Sequence, residues 1–201
     1  PDYAEAYNNL GIMLKELGRL EEAEKSLRKT IALRPDAFPD AYDHLGTILQ
    51  ERKSFDEAED CYRKAILVNK QFSQSYFNLG TLFLTTGKIN EAKINFEKAI
   101  EINPNFTSAH RSLSRITKYS KESKHLIQLI DLYKNPNFKN KHNGIELGFA
   151  LGKAFEDIKN YKESFKHYKE ANLLCKKNIS FSLGKERKIF QNIKDTYNKN
   201  L

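Results

Sequence analysis

Apolar residues in the first hundred positions recur at i, i+3, i+4, i+7, the spacing of a helix with one buried face. Tyr7, Leu10, Gly11 and Leu14 make one such face, and Ala23, Leu27, Thr30 and Ile31 a second. Gly18 between them and Pro35 after them are stop signals: glycine accepts the left-handed conformation that ends a helix, and proline cannot continue one. The two faces return as Tyr42, Leu45, Gly46, Leu49 with Ala58, Tyr62, Ala65, and again as Tyr76, Leu79, Gly80, Phe83 with Ala92, Phe96, Ala99. Each of Gly11, Gly46 and Gly80 follows a Leu, has a Tyr four residues before it and an Ala twelve residues after it. Pro104 closes the third unit, whereas Lys70 stands where the second would carry its proline. The pattern predicts helices over 4–17, 20–34, 39–52, 56–69, 73–86 and 90–102.

The glycines are 35 and 34 residues apart. That period, with Gly11 and Ala23 small enough to let two antiparallel helices approach, resembles the tetratricopeptide-repeat family. One helix pair cannot bury its apolar face alone, so successive pairs must stack. The resemblance implies an all-α fold, a right-handed α-α superhelix of about five helix pairs plus a C-terminal helix, with no sheet.

Past residue 106 the pattern loosens. Ala109, Leu113 and Ile116 begin a fourth first-helix over 107–118, but no Gly-to-Ala half follows it. A short helix is predicted over 122–134, with Leu126, Ile127, Leu129, Ile130 and Tyr133 on one face, and Asn135 to Asn143 reads as a loop. The repeat resumes at Leu151-Gly152, Phe155, Tyr161, Ser164, Tyr168 and Ala171, predicting helices over 142–158 and 161–177. Ile189, Phe190, Ile193 and Tyr197 share one face of a last helix, 184–198, expected to cap the stack. The expected organisation is therefore three regular repeats (1–106), a degenerate pair (107–140), a final repeat (141–178) and a capping helix (179–201). Pro1-Asp2-Tyr3 matches the closing positions of a repeat, and Leu201 follows no polar terminal unit, so the protein is expected to continue in both directions.

Composition narrows the chemistry. Among 201 residues there are 34 Lys+Arg, 26 Asp+Glu, two Cys and no Trp. No apolar run reaches the roughly 18 residues that span a bilayer. Cys61 and Cys175 are too few for a disulfide framework or a four-cysteine metal site and read as core thiols. No metal or cofactor is expected, and a cytoplasmic location is. Gly148 to Lys153 ends like a phosphate loop but is one spacer short and lies in a helical pattern. Gly144, Gly148 and Gly152 read instead as a close helix contact. The histidines (44, 110, 125, 142, 167) show no ligand spacing and read as surface or groove residues. No catalytic set is assembled, so no activity is expected of these 201 residues. Residues 1–105 carry a net charge of −3 and residues 106–201 one of +11. The basic half suits an acidic partner surface; without a nucleic-acid motif or interleaved aromatics, nucleic acid is the less favoured partner.

In a repeat stack the first helices line the groove, so residues off their packing stripe are the candidate contacts for a protein or peptide ligand. These are Asn8, Asn9, Ile12 and Lys15; Asp43, His44, Thr47 and Gln50; Phe77, Asn78, Thr81 and Leu84; and Arg111, Ser112, Arg115 and Lys118. Asn9 and Asn78 resemble the asparagine ladder of O-GlcNAc-transferase-type arrays, which implies side-chain amides gripping an extended backbone; His44 and Ser112 interrupt it. Phe77 and Leu84 are expected to offer apolar contact, and Arg111, Arg115 and Lys118 to favour an acidic peptide. Residues 109–190, with Gly148-Phe-Ala-Leu-Gly-Lys-Ala-Phe-Glu-Asp157 at their centre, are also similar to the region preceding the catalytic domain in bacterial tetratricopeptide-repeat sulfotransferases. That resemblance implies a substrate-presenting role, with a sulfotransferase domain following; none of that domain's catalytic residues lies in this chain.

Overall fold

The structure, a computed structural model, describes residues 3–138 and 141–178. Among them are ten α-helices and one 3-10 turn, Pro136–Phe138, with no strand. They fall into two compact units, divided after Thr117. The residues expected as a degenerate pair are split by that division. The predicted capping helix 184–198 lies outside the described residues.

The first unit contains α1 (Ala4–Glu16), α2 (Leu20–Leu33), α3 (Pro39–Glu51), α4 (Phe55–Val68), α5 (Ser73–Thr85), α6 (Ile89–Ile102) and α7 (Thr107–Ile116). α1 pairs with α2, α3 with α4 and α5 with α6; each pair then packs onto the next through α2 on α3, α4 on α5 and α6 on α7. The result is a solenoid with one continuous core, running from Leu14 and Leu27 through Leu45, Tyr62 and Phe83 to Leu113.

The close approach within each pair follows from one register. A Cβ built on Gly11 would lie 2.7 Å from Leu27, on Gly46 2.7 Å from Tyr62, and on Gly80 2.8 Å from Phe96. The partner is sixteen residues on each time, and Ala23, Ala58 and Ala92 are completely buried beside it. The turn between paired helices also repeats. Gly18, Lys53 and Gly87 have φ of 75°, 63° and 78°. The next N–H bonds five residues back in each case, Arg19 to Leu14, Ser54 to Leu49 and Lys88 to Phe83, closing a Schellman cap. Where Lys70 replaces proline, Asn69 ends α4 in extended conformation, and its Oδ1 accepts the Gln71 N–H at 2.9 Å.

The second unit contains α8 (Lys124–Lys134), α9 (Lys141–Asp157) and α10 (Tyr161–Asn178). α9 and α10 reproduce the repeat: a Cβ on Gly152 would meet Tyr168 at 2.6 Å, and one on Gly148 would meet Ala171 at 3.0 Å. Lys159 (φ 60°) takes the turn position, and Asn160 bonds back to Phe155. The core holds Tyr119, Leu126, Leu129, Leu147, Leu151 and Ala154. Two sequence expectations change here. Ile127 is exposed, because it stands about 100° around the helix from Leu126. The loop expected through Asn143 ends earlier: Lys141–Asn143 are the first turn of α9, since nothing after Pro136 prevents helix.

Candidate functional site

The first helices of the first unit lie side by side, α1 against α3 and α3 against α5. Several expected ligand contacts are spent on joining them. Asn8 is buried, and its Nδ2 donates to Asp40 Oδ2 of α3 at 2.7 Å. Asp43 is only 3% exposed and accepts from Ser75 Oγ at 2.7 Å and from Asn78 Nδ2 at 3.0 Å. Both rungs span the same 32 positions, Asn8 to Asp40 and Asp43 to Ser75. Burial pushes the Asp43 carboxyl above its ordinary range, against the pull of the Ser75 and Asn78 hydrogen bonds. Asn8 and Asp43 therefore join neighbouring repeats, correcting the groove assignment. The amide of Asn78 is likewise engaged at both ends, since its Oδ1 accepts from Gln74 Nε2 at 3.1 Å.

After these polar rungs the contact turns aromatic. Phe77 is half-buried, its ring centroid 4.9 Å from Phe106 and 5.9 Å from Phe96. It packs against the core, as does Leu84, so neither is a spare apolar contact. Thr47 and Thr81 donate to the carbonyls four residues earlier, Asp43 and Phe77. Gln50 Oε1 accepts from the Tyr62 hydroxyl at 2.9 Å.

What the first-helix face leaves toward solvent is mainly cationic and amide. Asn9 and Arg115 are exposed, and Lys15, His44 and Arg111 are half-exposed. Lys15 Nζ lies 3.5 Å from His44 Nδ1. Burial, and then the adjacent ammonium, hold the His44 imidazole below its ordinary pKa, so it is neutral at pH 7. The Lys15 charge thus meets a neutral ring, not a carboxylate. Lys118 falls outside this face: α7 ends at Ile116, Thr117 turns extended, and Lys118 Nζ sits 3.1 Å from Asp157 Oδ1 in the second unit.

The second unit has its own polar centre, which no sequence motif marked. Asp157 receives Lys118, Lys153 and the Tyr119 N–H. Lys153, the residue that resembled a phosphate-loop lysine, is spent here. His110 and His167, expected at the surface, are buried. His110 Nε2 is 2.9 Å from the Pro104 carbonyl. The His167 ring stacks 5.4 Å from Phe155 and meets Tyr133 edge-on at 4.8 Å. Beside it is a crevice of about 570 Å³ bordered by Lys134, Lys166, Glu170 and Leu173. Among the described residues no group of His, Cys, Asp and Glu is placed to hold a metal, and no helix is long and apolar enough to cross a membrane.

Comparison with known proteins agrees with this architecture. Two family models described as tetratricopeptide repeat match residues 4–37 and 39–105, together half of the chain. No curated protein matches. Among solved structures, the chain is similar to YrrB, "a TPR protein with an unusual peptide-binding site" (20% identity, TM-score 0.60, 84% of each chain covered). It is similar to Pseudomonas aeruginosa PilF (19%, 0.65, covering 85% of this chain and 75% of that one). It is also similar to the first TPR of Spaghetti (RPAP3) bound to the HSP90 peptide SRMEEVD (24%, 0.54, covering 56% and 89%). At these identities the likeness is one of fold. The register of Gly11, Gly46 and Gly80 against Leu27, Tyr62 and Phe96, taken with the matched family models, makes this chain a member of the tetratricopeptide-repeat family.

Proposed function

We propose that the first unit is a peptide-binding module that takes an extended acidic segment along its first-helix face. The observation that carries this reading is Lys15, a half-exposed ammonium whose neighbour at 3.5 Å is the neutral His44 ring. A carboxylate there gains a charge-assisted hydrogen bond without displacing an existing ion pair. Asn9 and Arg115 add exposed groups on α1 and α7, and Arg111 a half-exposed one. Asn9 presents both a donor and an acceptor to a backbone, whatever its sequence. The similar RPAP3 repeat was solved with a peptide containing Glu-Glu-Val-Asp, a ligand of this charge. Anisotropy titration of a labelled acidic peptide tests the reading. Lys15→Ala and Arg115→Ala should each weaken binding by about 1 kcal/mol, and raising salt should weaken it further. Equal affinity for both variants and wild type contradicts it.

A sulfotransferase context is a separate proposal, carried by the resemblance of residues 109–190 alone. In this chain Gly148, Gly152, Ala154 and Ala171 serve helix packing and Asp157 a structural ion cluster. A strand and a Gly-rich phosphate loop encoded after Leu201 would support it; their absence there would remove it.

A further inference from the structure

Lys15 and His44 meet across the junction of α1 and α3, Nζ to Nδ1 at 3.5 Å. That junction is already joined by Asn8 and Asp40 at 2.7 Å, so the repeat stack does not need a second contact there. At the junction of α3 and α5 the repeat-equivalent residues are Gln50 and Asn78, two amides that do not titrate. Both are engaged within the fold, Gln50 with Tyr62 and Asn78 with Asp43. Lys15 and His44 instead stand half-exposed on the first-helix face, a cation beside a ring that can become one.

The contact itself sets the state of Nδ1. An ammonium has only donors, so Nδ1 faces it with a lone pair; a proton there would oppose N–H to N–H. The charged groups that act on His44 are Lys15 and Glu16 of α1 and Asp40, one turn earlier on α3; α2, α4 and α5 add none among the described residues. Burial, and then Lys15, hold the ring below the ordinary 6.5, against the pull of Asp40 and Glu16. A carboxylate arriving at Lys15 reverses this balance. The ammonium turns to one of its oxygens, the ring takes a proton from solvent, and Nδ1–H donates to the other oxygen.

We infer that Lys15 and His44 form a two-donor carboxylate site whose occupation takes up a proton, so that the first-helix face holds acidic segments more tightly in mildly acidic than in alkaline solution. The inference rests on the peptide-binding reading of this face and adds its regulation by pH. The bound ring holds its proton more strongly than the free one. The added affinity is therefore complete below the free pKa, itself under 6.5, and is lost as pH rises through the bound value.

The probe is an acetylated Asp-Gly-Asp-Gly-Asp peptide, whose carboxylates stay ionised between pH 6 and 8. Calorimetric titration of the full chain should show affinity rising at least about threefold from pH 8 to pH 6. Buffers of different ionisation enthalpy should report net proton uptake on binding, and the His44 imidazole resonances should titrate at higher pH with the peptide than without it. In His44→Asn, whose Oδ1 keeps an acceptor for Lys15, the affinity should be flat over the same range. Binding that Lys15→Ala weakens, but that is equal at pH 6 and pH 8 and takes up no proton, overturns the inference and leaves the peptide-binding reading standing. A His44→Asn chain that keeps the full pH dependence overturns it in the same way. No binding at either pH by a chain with a native circular dichroism spectrum overturns both.

Discussion

Tyr62 lies so close over Gly46 that a single methyl at that position would sit 2.7 Å from its ring. The same relation holds Gly11 to Leu27, Gly80 to Phe96 and Gly152 to Tyr168. Gly46→Leu should therefore destabilise the fold by at least about 1–3 kcal/mol through overpacking, more than the roughly 1 kcal/mol of helix propensity it gains. Urea unfolding followed by circular dichroism measures the difference. An unchanged midpoint would mean that the paired helices are further apart than described.

Lys53 and Lys159 hold the left-handed turn position that glycine fills at 18 and 87. An L side chain pays there for the approach of its Cβ to the following carbonyl. Lys53→Gly and Lys159→Gly should each raise stability by about 0.5–1 kcal/mol, after the extra entropy of glycine in the unfolded chain is deducted. Thermal melts of the two single variants check this. A loss of stability would place these residues in another conformation.

Much of this architecture is legible in the sequence, because Tyr7, Gly11 and Ala23 recur with their neighbours at one period and a helix pair has few ways to pack. The site was less legible. Residues off the packing stripe of a first helix face either a ligand or the next first helix, and a helical wheel does not separate the two. That is why Asn8, Asp43 and Phe77 read as groove residues while they join repeats. A signal was available: Asn8 and Asp43 are repeat-equivalent, and each has a polar residue 32 positions on, Asp40 and Ser75, to close an inter-repeat rung. Lys118 was misplaced for another reason, since nothing in Ile116-Thr117-Lys118 announces that the helix stops. The cluster on Asp157 could not be read because Tyr119 is 38 residues away, across the irregular segment.

Burial raises the Asp43 carboxyl above its ordinary 3.8. The folded chain therefore keeps that proton over a pH range in which the unfolded chain releases it, and the contribution is lost as pH rises through the folded value. Asp43→Asn keeps an acceptor for Ser75 and Asn78 but does not titrate. The stability of wild type relative to Asp43→Asn should be highest below pH 3.8 and fall as the pH rises above it, which guanidinium unfolding of both proteins between pH 3 and 7 would record. A constant difference across that range would show that Asp43 titrates as an exposed carboxylate.

Asp157 has the opposite sign. Burial opposes its ionisation, but the Lys153 contact, the Tyr119 N–H and Lys118 outweigh it and hold the carboxyl below 3.8. Its contribution is present above that value and lost as pH falls through the folded pKa. Asp157→Asn should cost about 1.5–3 kcal/mol at pH 7, the range for hydrogen bonds to a charged group, and much less near pH 2–3. Denaturant unfolding of the two proteins at both pH values measures it; an equal cost at each would contradict the ion cluster.

The central claim is that the first-helix face of the first unit receives an extended acidic peptide, and amide chemical-shift mapping tests it most directly. Titrating the isotope-labelled chain with an acidic peptide should move resonances of Asn9, Lys15, His44, Arg111 and Arg115, with the Lys15 and His44 shifts reduced in Lys15→Ala. Shifts confined to the second unit, or to the outer helices α2, α4 and α6 with the first helices silent, would contradict it.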